Sequence, residues 1–124
     1  MFNKDSKYIL AIDLGTTGAK SALVSTWAEV IDFEFEETHL NLLPDGGAEQ
    51  NPDEWWDAIL KSSKRLLDKK LVPVDDIVAV SCTTQWSGTV AVDRDGNHFD
   101  ECHHLDGLSG KPIHQGDNRW TYKG

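Results

Sequence analysis

Residues 7–24, KYILAIDLGTTGAKSALV, constrain the fold more than any other stretch of the chain. An apolar run, Tyr8 to Ile12, leads into Asp13. Leu14-Gly15-Thr16-Thr17-Gly18 follows as a loop of small residues, and a second apolar run, Ala22 to Val24, comes too soon for a helix to lie between. The spacing predicts strand, tight turn and antiparallel strand. Glycines in such a loop let a ligand approach the backbone, and main-chain N–H groups and hydroxyls can hydrogen-bond phosphate oxygens. Asp13, at the strand end, is placed to hold Mg²⁺ through water or to orient a nucleophile.

Two common phosphate motifs are excluded, because the chain has no G-x-x-x-x-G-K-[ST] and no G-x-G-x-x-G opening a helix. The 124 residues suffice for one modest domain. A net charge of −9, from 12 Lys+Arg against 21 Asp+Glu, leaves no basic stripe and speaks against nucleic-acid binding. Cys82 and Cys102 form neither a disulfide framework nor a C-x-x-C pair, so a reducing, cytoplasmic setting is expected. The first residues, MFNKDSK, lack an apolar leader core, and no stretch has transmembrane length, so no membrane partner is expected.

Along the chain, Lys20–Ser25 reads as the second strand. Ile31, Phe33 and Phe35 alternate with Asp32, Glu34 and Glu36, which predicts a half-buried third strand with its acidic face wet. Residues 38–50 lack periodicity and read as a loop. Asn51-Pro52-Asp53-Glu54 is a helix start, with Asn51 as cap, Pro52 at the first position and Glu54 where a capping box needs it. Trp55, Trp56, Ile59, Leu60, Ser63, Leu66 and Leu67 recur at helical spacing to about Lys70, and Lys and Arg gather in the C-terminal half, as the macrodipole favours. The helix is expected to pack on the sheet, with one indole left over as a possible ligand contact. Pro73–Asp76 reads as a turn, and Ile77–Ser81 as a short apolar strand buried on both faces and parallel to the first. The polar segment Cys82–Gly88 then lies at a strand's carboxyl end, where open α/β sheets gather ligands. Thr89–Val92 is expected to be a further strand, closed by the turn Asp93–Asn97.

The Asp-x-Gly-Thr-Thr turn at Asp13–Thr17 resembles the first phosphate loop of the actin, heat-shock chaperone and sugar kinase superfamily. Three further collinear segments narrow the resemblance: Gly47–Pro52 followed by Trp55-Trp56, Ile77–Gln85, and Gly88–Gly96. Together they resemble the N-terminal part of the FGGY carbohydrate kinases, in their xylulokinase-like branch. The resemblance implies a fold, an incomplete α/β domain of ribonuclease-H-like type. Its parts are an antiparallel three-strand meander, a capped helix, a parallel strand and a hairpin. It also implies transfer of the ATP γ-phosphoryl group to a sugar or polyol hydroxyl, helped by Mg²⁺. Carried over by position, Asp13, Gly15, Thr16, Thr17 and Lys20 face the phosphates, with Asp13 on the metal side, while Gln85 and Trp86 lie near the sugar. Xylulokinases carry Met-His where this chain has Trp86-Ser87. The Glu49–Trp56 segment speaks against a chaperone-type ATPase.

The resemblance stops near residue 98, so residues 1–98 are taken as the start of the kinase domain and 99–124 as an atypical tail. His98, His103, His104, His114 and Cys102 match no standard zinc spacing. The family expects an apolar strand here, ending in Trp-x-Asp-x-Arg. Back-translating from His98 and dropping one T from the T run at the His98–Phe99 codons permits, after the histidine, LMNAIIWMDSR and then ANQYIKEITG. A one-base frameshift is therefore the expected origin of the tail, with a genuine tail, disordered or folded on a partner, as the competing reading. The family's catalytic Asp and second domain lie beyond this stretch. Asp93, Asp95, Asp100 and Asp106 sit in turn or tail contexts and are not assigned that role. The chain alone is thus expected to be inactive, partly folded and prone to associate through open sheet edges. The alternative is a non-catalytic module that binds a sugar, a nucleotide or another protein.

Overall fold

The computed structural model describes residues 6–44, 46–99 and 102–104. The opening hairpin is present, with β1 at Tyr8–Gly15 and β2 at Gly18–Ser25. They pair antiparallel from Tyr8↔Ser25 to Gly15↔Gly18, which leaves Thr16 and Thr17 as the whole turn. A third strand, β3 at Val30–Glu37, pairs antiparallel with β2 and completes the meander. The expected loop over 38–50 contains two short strands, β4 at Asn41–Leu42 and β5 at Ala48–Gln50, paired with each other.

Helix α1 runs from Pro52 to Asp68. The Asn51 side chain accepts the Asp53 N–H at 2.8 Å, so the cap forms as expected. Glu54 takes up the backbone N–H of His39 instead, at 3.1 Å, and so ties the helix start to the preceding loop. The helix stops two residues short of Lys70, which has a left-handed φ of 52°. After a single 3-10 turn at Val74–Asp76, β6 at Ile77–Thr84 runs parallel to β1. The main sheet has the order β3-β2-β1-β6. Two residues, Gly88–Thr89, form β7, and the backbone of Cys102–His104 forms β8, making a second sheet in the order β4-β5-β8-β7. Thr89–Val92 is therefore not a continuous strand: Val92 makes one isolated bridge to His98. The expected turn between them forms, with the Asp93 carboxylate accepting from the N–H groups of Asp95 and Asn97 and from the Asn97 side chain. These bonds, that from the Asn97 side chain foremost, hold the Asp93 carboxyl below its ordinary pKa.

The core lies between α1 and one face of the main sheet. Tyr8, Leu23, Leu66 and Val72 form one buried cluster, and Leu14, Ala19 and Ala58 form another that Trp55 and Ile59 flank. Completely burying Leu23 and Leu66 contributes about 2 kcal/mol each. A buried polar group also bridges the two elements: the Ser21 hydroxyl bonds those of Ser62 at 2.8 Å and Ser63 at 2.9 Å, and Ser62 also donates to the Ala58 carbonyl at 2.8 Å. Each buried hydroxyl is thus partnered, as burial requires.

Two expectations about burial are corrected. In β3 the acidic face is not the wet one. Arg65 binds Glu34 at 3.0 Å and Glu36 at 2.6 Å, and Lys69 binds Asp32 at 2.8 Å, so the basic end of α1 covers that face. Phe33 and Phe35 point the other way and remain 54% and 40% exposed. Period-two alternation gives two faces but not which one is covered. The helix's lysines and arginine chose the carboxylates. Likewise β6 is not buried on both faces. It is an edge strand, and Val78 and Val80 are 58% and 65% exposed because α1 packs chiefly over β2 and β3 and leaves the faces of β6 uncovered among the described residues.

The ion-pair face gives an acid dependence. The Lys69 ammonium, followed by the Phe33 N–H for Asp32 and by Arg65 for Glu34, holds both carboxyls below their ordinary values. A depressed folded pKa means stability that is present above the unfolded value of about 4 and lost as pH falls through the folded one. The helical far-UV signal should therefore be flat from about pH 5 to 8 and decline below about pH 4. Lys69→Met should flatten that acid limb; an unchanged limb would show that other carboxylates govern it.

Candidate functional site

Because β1 and β6 are parallel neighbours, their carboxyl ends emerge side by side, with Leu14 opposite Thr84. Ligands of open α/β sheets collect at such ends. The backbone N–H of Gln85 donates to the Leu14 carbonyl at 2.8 Å, which extends the pairing into both loops. Above it, the Thr16 hydroxyl donates to the Gln85 Oε1 at 2.6 Å. The turn read as phosphate-facing and the loop read as sugar-facing are therefore joined directly.

Gln50 fastens this junction from below, and the sequence reading did not single it out. It is completely buried at the end of β5. Its Nε2 donates to the Thr16 carbonyl at 2.9 Å, the His39 carbonyl at 2.9 Å and the Thr38 hydroxyl at 3.2 Å. Its Oε1 accepts from Gln85 Nε2 at 3.2 Å. The Thr17 carbonyl accepts the Thr38 N–H at 3.2 Å. A polar residue immediately before a helix cap was the only signal for Gln50, and the same position suits an exposed loop residue equally well.

The other candidate residues divide. Asp13 is exposed, opposite Lys20 on β2 and Thr83 on β6. Thr17 is exposed, and its hydroxyl has no hydrogen-bond partner among the described residues. Lys20 leans away from the turn, its Nζ 6.0 Å from the centroid of the Phe33 ring, at the outer range of a cation–π contact. Trp86 is 98% exposed and open to stack on a flat or apolar ligand face. Trp56 is exposed on the helix, whereas Trp55 packs inward with its indole N–H buried and unpartnered.

The two glycines differ. A Cβ on Gly15 would meet only the Gly18 carbonyl, at 3.6 Å, so a ligand-facing role for Gly15 is sterically open. A Cβ on Gly18 would lie 2.1 Å from the Glu36 carbonyl and 2.7 Å from the Phe35 ring, so that glycine is required by β3. The described residues contain no group of three or more His, Cys, Asp or Glu able to hold a metal ion. Asp13 supplies one exposed carboxylate near the end of β1, ahead of the exposed Thr16 and Thr17 in the turn. A carboxylate is a donor that Mg²⁺ takes, the ion keeping several waters and filling its remaining positions from phosphates.

Meander, helix and parallel strand, with the turn and loop meeting at one sheet end, make this a partial domain of the sugar kinase and actin fold. The chain belongs to the FGGY family of carbohydrate kinases, whose N-terminal domain matches residues 8–104. It is 32% identical over 90 residues to the glycerol kinase of Thermococcus gammatolerans, covering 73% of this chain and 18% of that protein. Against the glycerol kinase of Alteromonas mediterranea the identity is 29% over 108 residues, covering 87% of this chain and 19% of that protein. The crystal structure of xylulose kinase from Rhodospirillum rubrum superposes with a TM-score of 0.70 at 24% identity, over 84% of this chain and 22% of that one. That likeness shows the fold. The chain spans about a fifth of the length of these relatives.

Proposed function

We propose that the chain is the opening segment of an ATP-dependent carbohydrate kinase. The reaction is transfer of the γ-phosphoryl group to a sugar or polyol hydroxyl, with a xylulose-like sugar favoured. The observation that carries this reading is the 2.6 Å bond between Thr16 and Gln85, which ties the phosphate turn to the sugar-side loop. Phosphoryl transfer depends chiefly on positioning and charge stabilisation, so a rigid junction between two binding loops is what it needs. In this reading the Gly15–Thr17 backbone and the Thr17 hydroxyl receive phosphate oxygens. The Thr16 hydroxyl keeps Gln85 in place while its backbone faces the phosphates, and Lys20 reaches a phosphate oxygen by swinging back from Phe33. Asp13 holds Mg²⁺ through water, and the ion neutralises phosphate charge when bound. Trp86 stacks on the sugar beside Gln85.

The segment alone is proposed to be inactive, since no described residue is assigned as the base that accepts the hydroxyl proton. A cytoplasmic, reducing location goes with the reading. Residues 99–124 are proposed to be read one base out of frame. The backbone pairing of Cys102–His104 as β8, between β5 and β7, supports this. The shifted frame permits Ala-Ile-Ile at those three positions, and Ile is a far better strand former than His.

The test is the gene, followed by the protein made from it. Deleting one T near codon 98 is expected to open a long frame with Trp-x-Asp-x-Arg. The repaired chain is expected to phosphorylate a panel member, xylulose before glycerol, while the 124-residue chain does not. An intact gene without a homologous shifted frame would overturn the tail assignment. Turnover by the short chain would overturn its inactivity. The second reading, a binding module without catalysis, rests on the open indole of Trp86 and would be favoured by sugar or nucleotide binding to the short chain.

A further inference from the structure

The polarity of the junction between turn and loop is fixed from the inside out. The carbonyls of Thr16 and His39 lie 2.9 Å from one end of the Gln50 amide. A carbonyl oxygen only accepts, so that end is the nitrogen. The other end is then the oxygen, and the Gln85 atom 3.2 Å from it is a nitrogen. The far end of the Gln85 amide is therefore its oxygen, which also only accepts. The Thr16 hydroxyl, 2.6 Å from it, must donate. Turning either amide over would set oxygen against oxygen, at a site where Gln50 is completely buried. Two backbone carbonyls thus dictate, through two amides, where a threonine proton points.

A threonine hydroxyl has one hydrogen and two lone pairs. With its hydrogen held by Gln85, Thr16 Oγ1 offers a ligand only lone pairs. A phosphate oxygen is itself an acceptor and gains nothing there. Giving the proton to a phosphate instead would strand the Gln85 oxygen, and the amide cannot turn to compensate while Gln50 holds its nitrogen. Thr17 is the opposite case. Its hydroxyl has no hydrogen-bond partner among the described residues and is free to donate. Two adjacent threonines of one turn therefore present opposite polarity.

Given the kinase reading, we propose that Thr16 Oγ1 is an acceptor-only contact for a hydroxyl of the sugar or polyol, and that the Thr17 hydroxyl is the donor to phosphate. The place of Thr16 agrees, since its partner Gln85 opens the loop at the carboxyl end of β6, next to Trp86. The pair selects by hydrogen content: a ligand must bring an O–H to Thr16 and a deprotonated oxygen to Thr17. A sugar that carries a carboxylate in place of that hydroxyl would oppose acceptor to acceptor and be rejected, and one lacking the hydroxyl would leave Thr16 unmet.

Titrations of the full 124-residue chain with xylulose and, separately, with tripolyphosphate, followed by the backbone amide shifts of residues 14–18 and 85–87, separate the two roles. Thr16→Val should lose more xylulose affinity than tripolyphosphate affinity, by at least about fivefold. Thr17→Val should show the reverse split. Thr16→Ser, which keeps the hydroxyl, should restore xylulose binding. Gln85→Met releases the Thr16 proton, so it should tighten tripolyphosphate by at least about twofold, a gain that vanishes when Thr16→Val is added. A variant that merely misfolded would lose both ligands together. Parallel losses of both ligands in both threonine variants would overturn the polarity assignment while leaving the kinase reading intact. So would a xylulose loss in Thr16→Val that appears only with Mg²⁺ present, because the donor would then be a metal-bound water. A parent chain that bound tripolyphosphate but no xylulose would overturn the sugar contact. One that bound neither probe would sink the kinase reading of this segment, and the proposal with it.

Discussion

Gly18→Ala is expected to detach the end of β3 from β2. The new methyl would stand 2.1 Å from the Glu36 carbonyl and under 3 Å from two atoms of the Phe35 ring. A ring can swing aside, but the carbonyl belongs to a strand held in register by Gly18↔Glu37 and Ala19↔Glu36. Gly18 also has a φ of +154°, which L-residues rarely adopt. Overpacking and backbone strain together should cost about 3 kcal/mol. That is a large share of the stability of any small domain, and larger still for a partial one. The loss should be local first. Glu36 anchors Arg65, so the ion-pair face of α1 loosens with the strand end. Hydrogen exchange should quicken over residues 34–37, and the urea midpoint should fall. Gly15→Ala is the matched control: its methyl meets one carbonyl at an ordinary 3.6 Å, so folding should change by less than about 0.5 kcal/mol. If both variants behaved alike, the distinction between a packing glycine and a ligand-facing glycine would be wrong.

The same pair of glycines shows what was legible in the sequence. The turn itself was, since two apolar runs separated by small residues leave few alternatives to a hairpin. The Asn51 cap, the helix and the parallel strand after it were legible for similar reasons: each is specified within a few residues of itself. What failed depended on distant partners. Alternation in β3 was read correctly as two faces, but Arg65 and Lys69, about thirty residues on, decided which face is covered. The apolar run of β6 suggested burial, yet burial of both faces needs a layer on each, and the described helix packs chiefly over β2 and β3 instead. At the site, Asp13, Thr16 and Gln85 stood out because they end strands beside glycines or polar turns. Gln50 did not, because its role comes entirely from the segments that close over it.

Gln50→Leu tests that role and should have the second large effect. Leucine fills nearly the same space but donates nothing. The carbonyls of Thr16 and His39 and the Thr38 hydroxyl would lose their bonds, and the Gln85 amide would lose its acceptor. Leaving a buried polar group unpaired costs about 1–3 kcal/mol, and this side chain serves several at once, so a loss of about 3 kcal/mol is expected. Gln50→Glu should be as damaging at neutral pH, because a carboxylate would face the Thr16 and His39 carbonyl oxygens in a buried site. A purely structural glutamine would give the same stability loss, so the decisive measurement is a double-mutant cycle with Thr16→Val. That second change removes only the hydroxyl bond to Gln85. Gln50 and Thr16 hold opposite ends of the same Gln85 amide, so removing one frees the amide to rotate and devalues the other. The two losses should therefore fall short of additivity by at least about 0.5 kcal/mol. Strict additivity would mean that Gln85 is not the link between the phosphate turn and the buried network, and the rigid junction on which the kinase reading rests would then lack its central member.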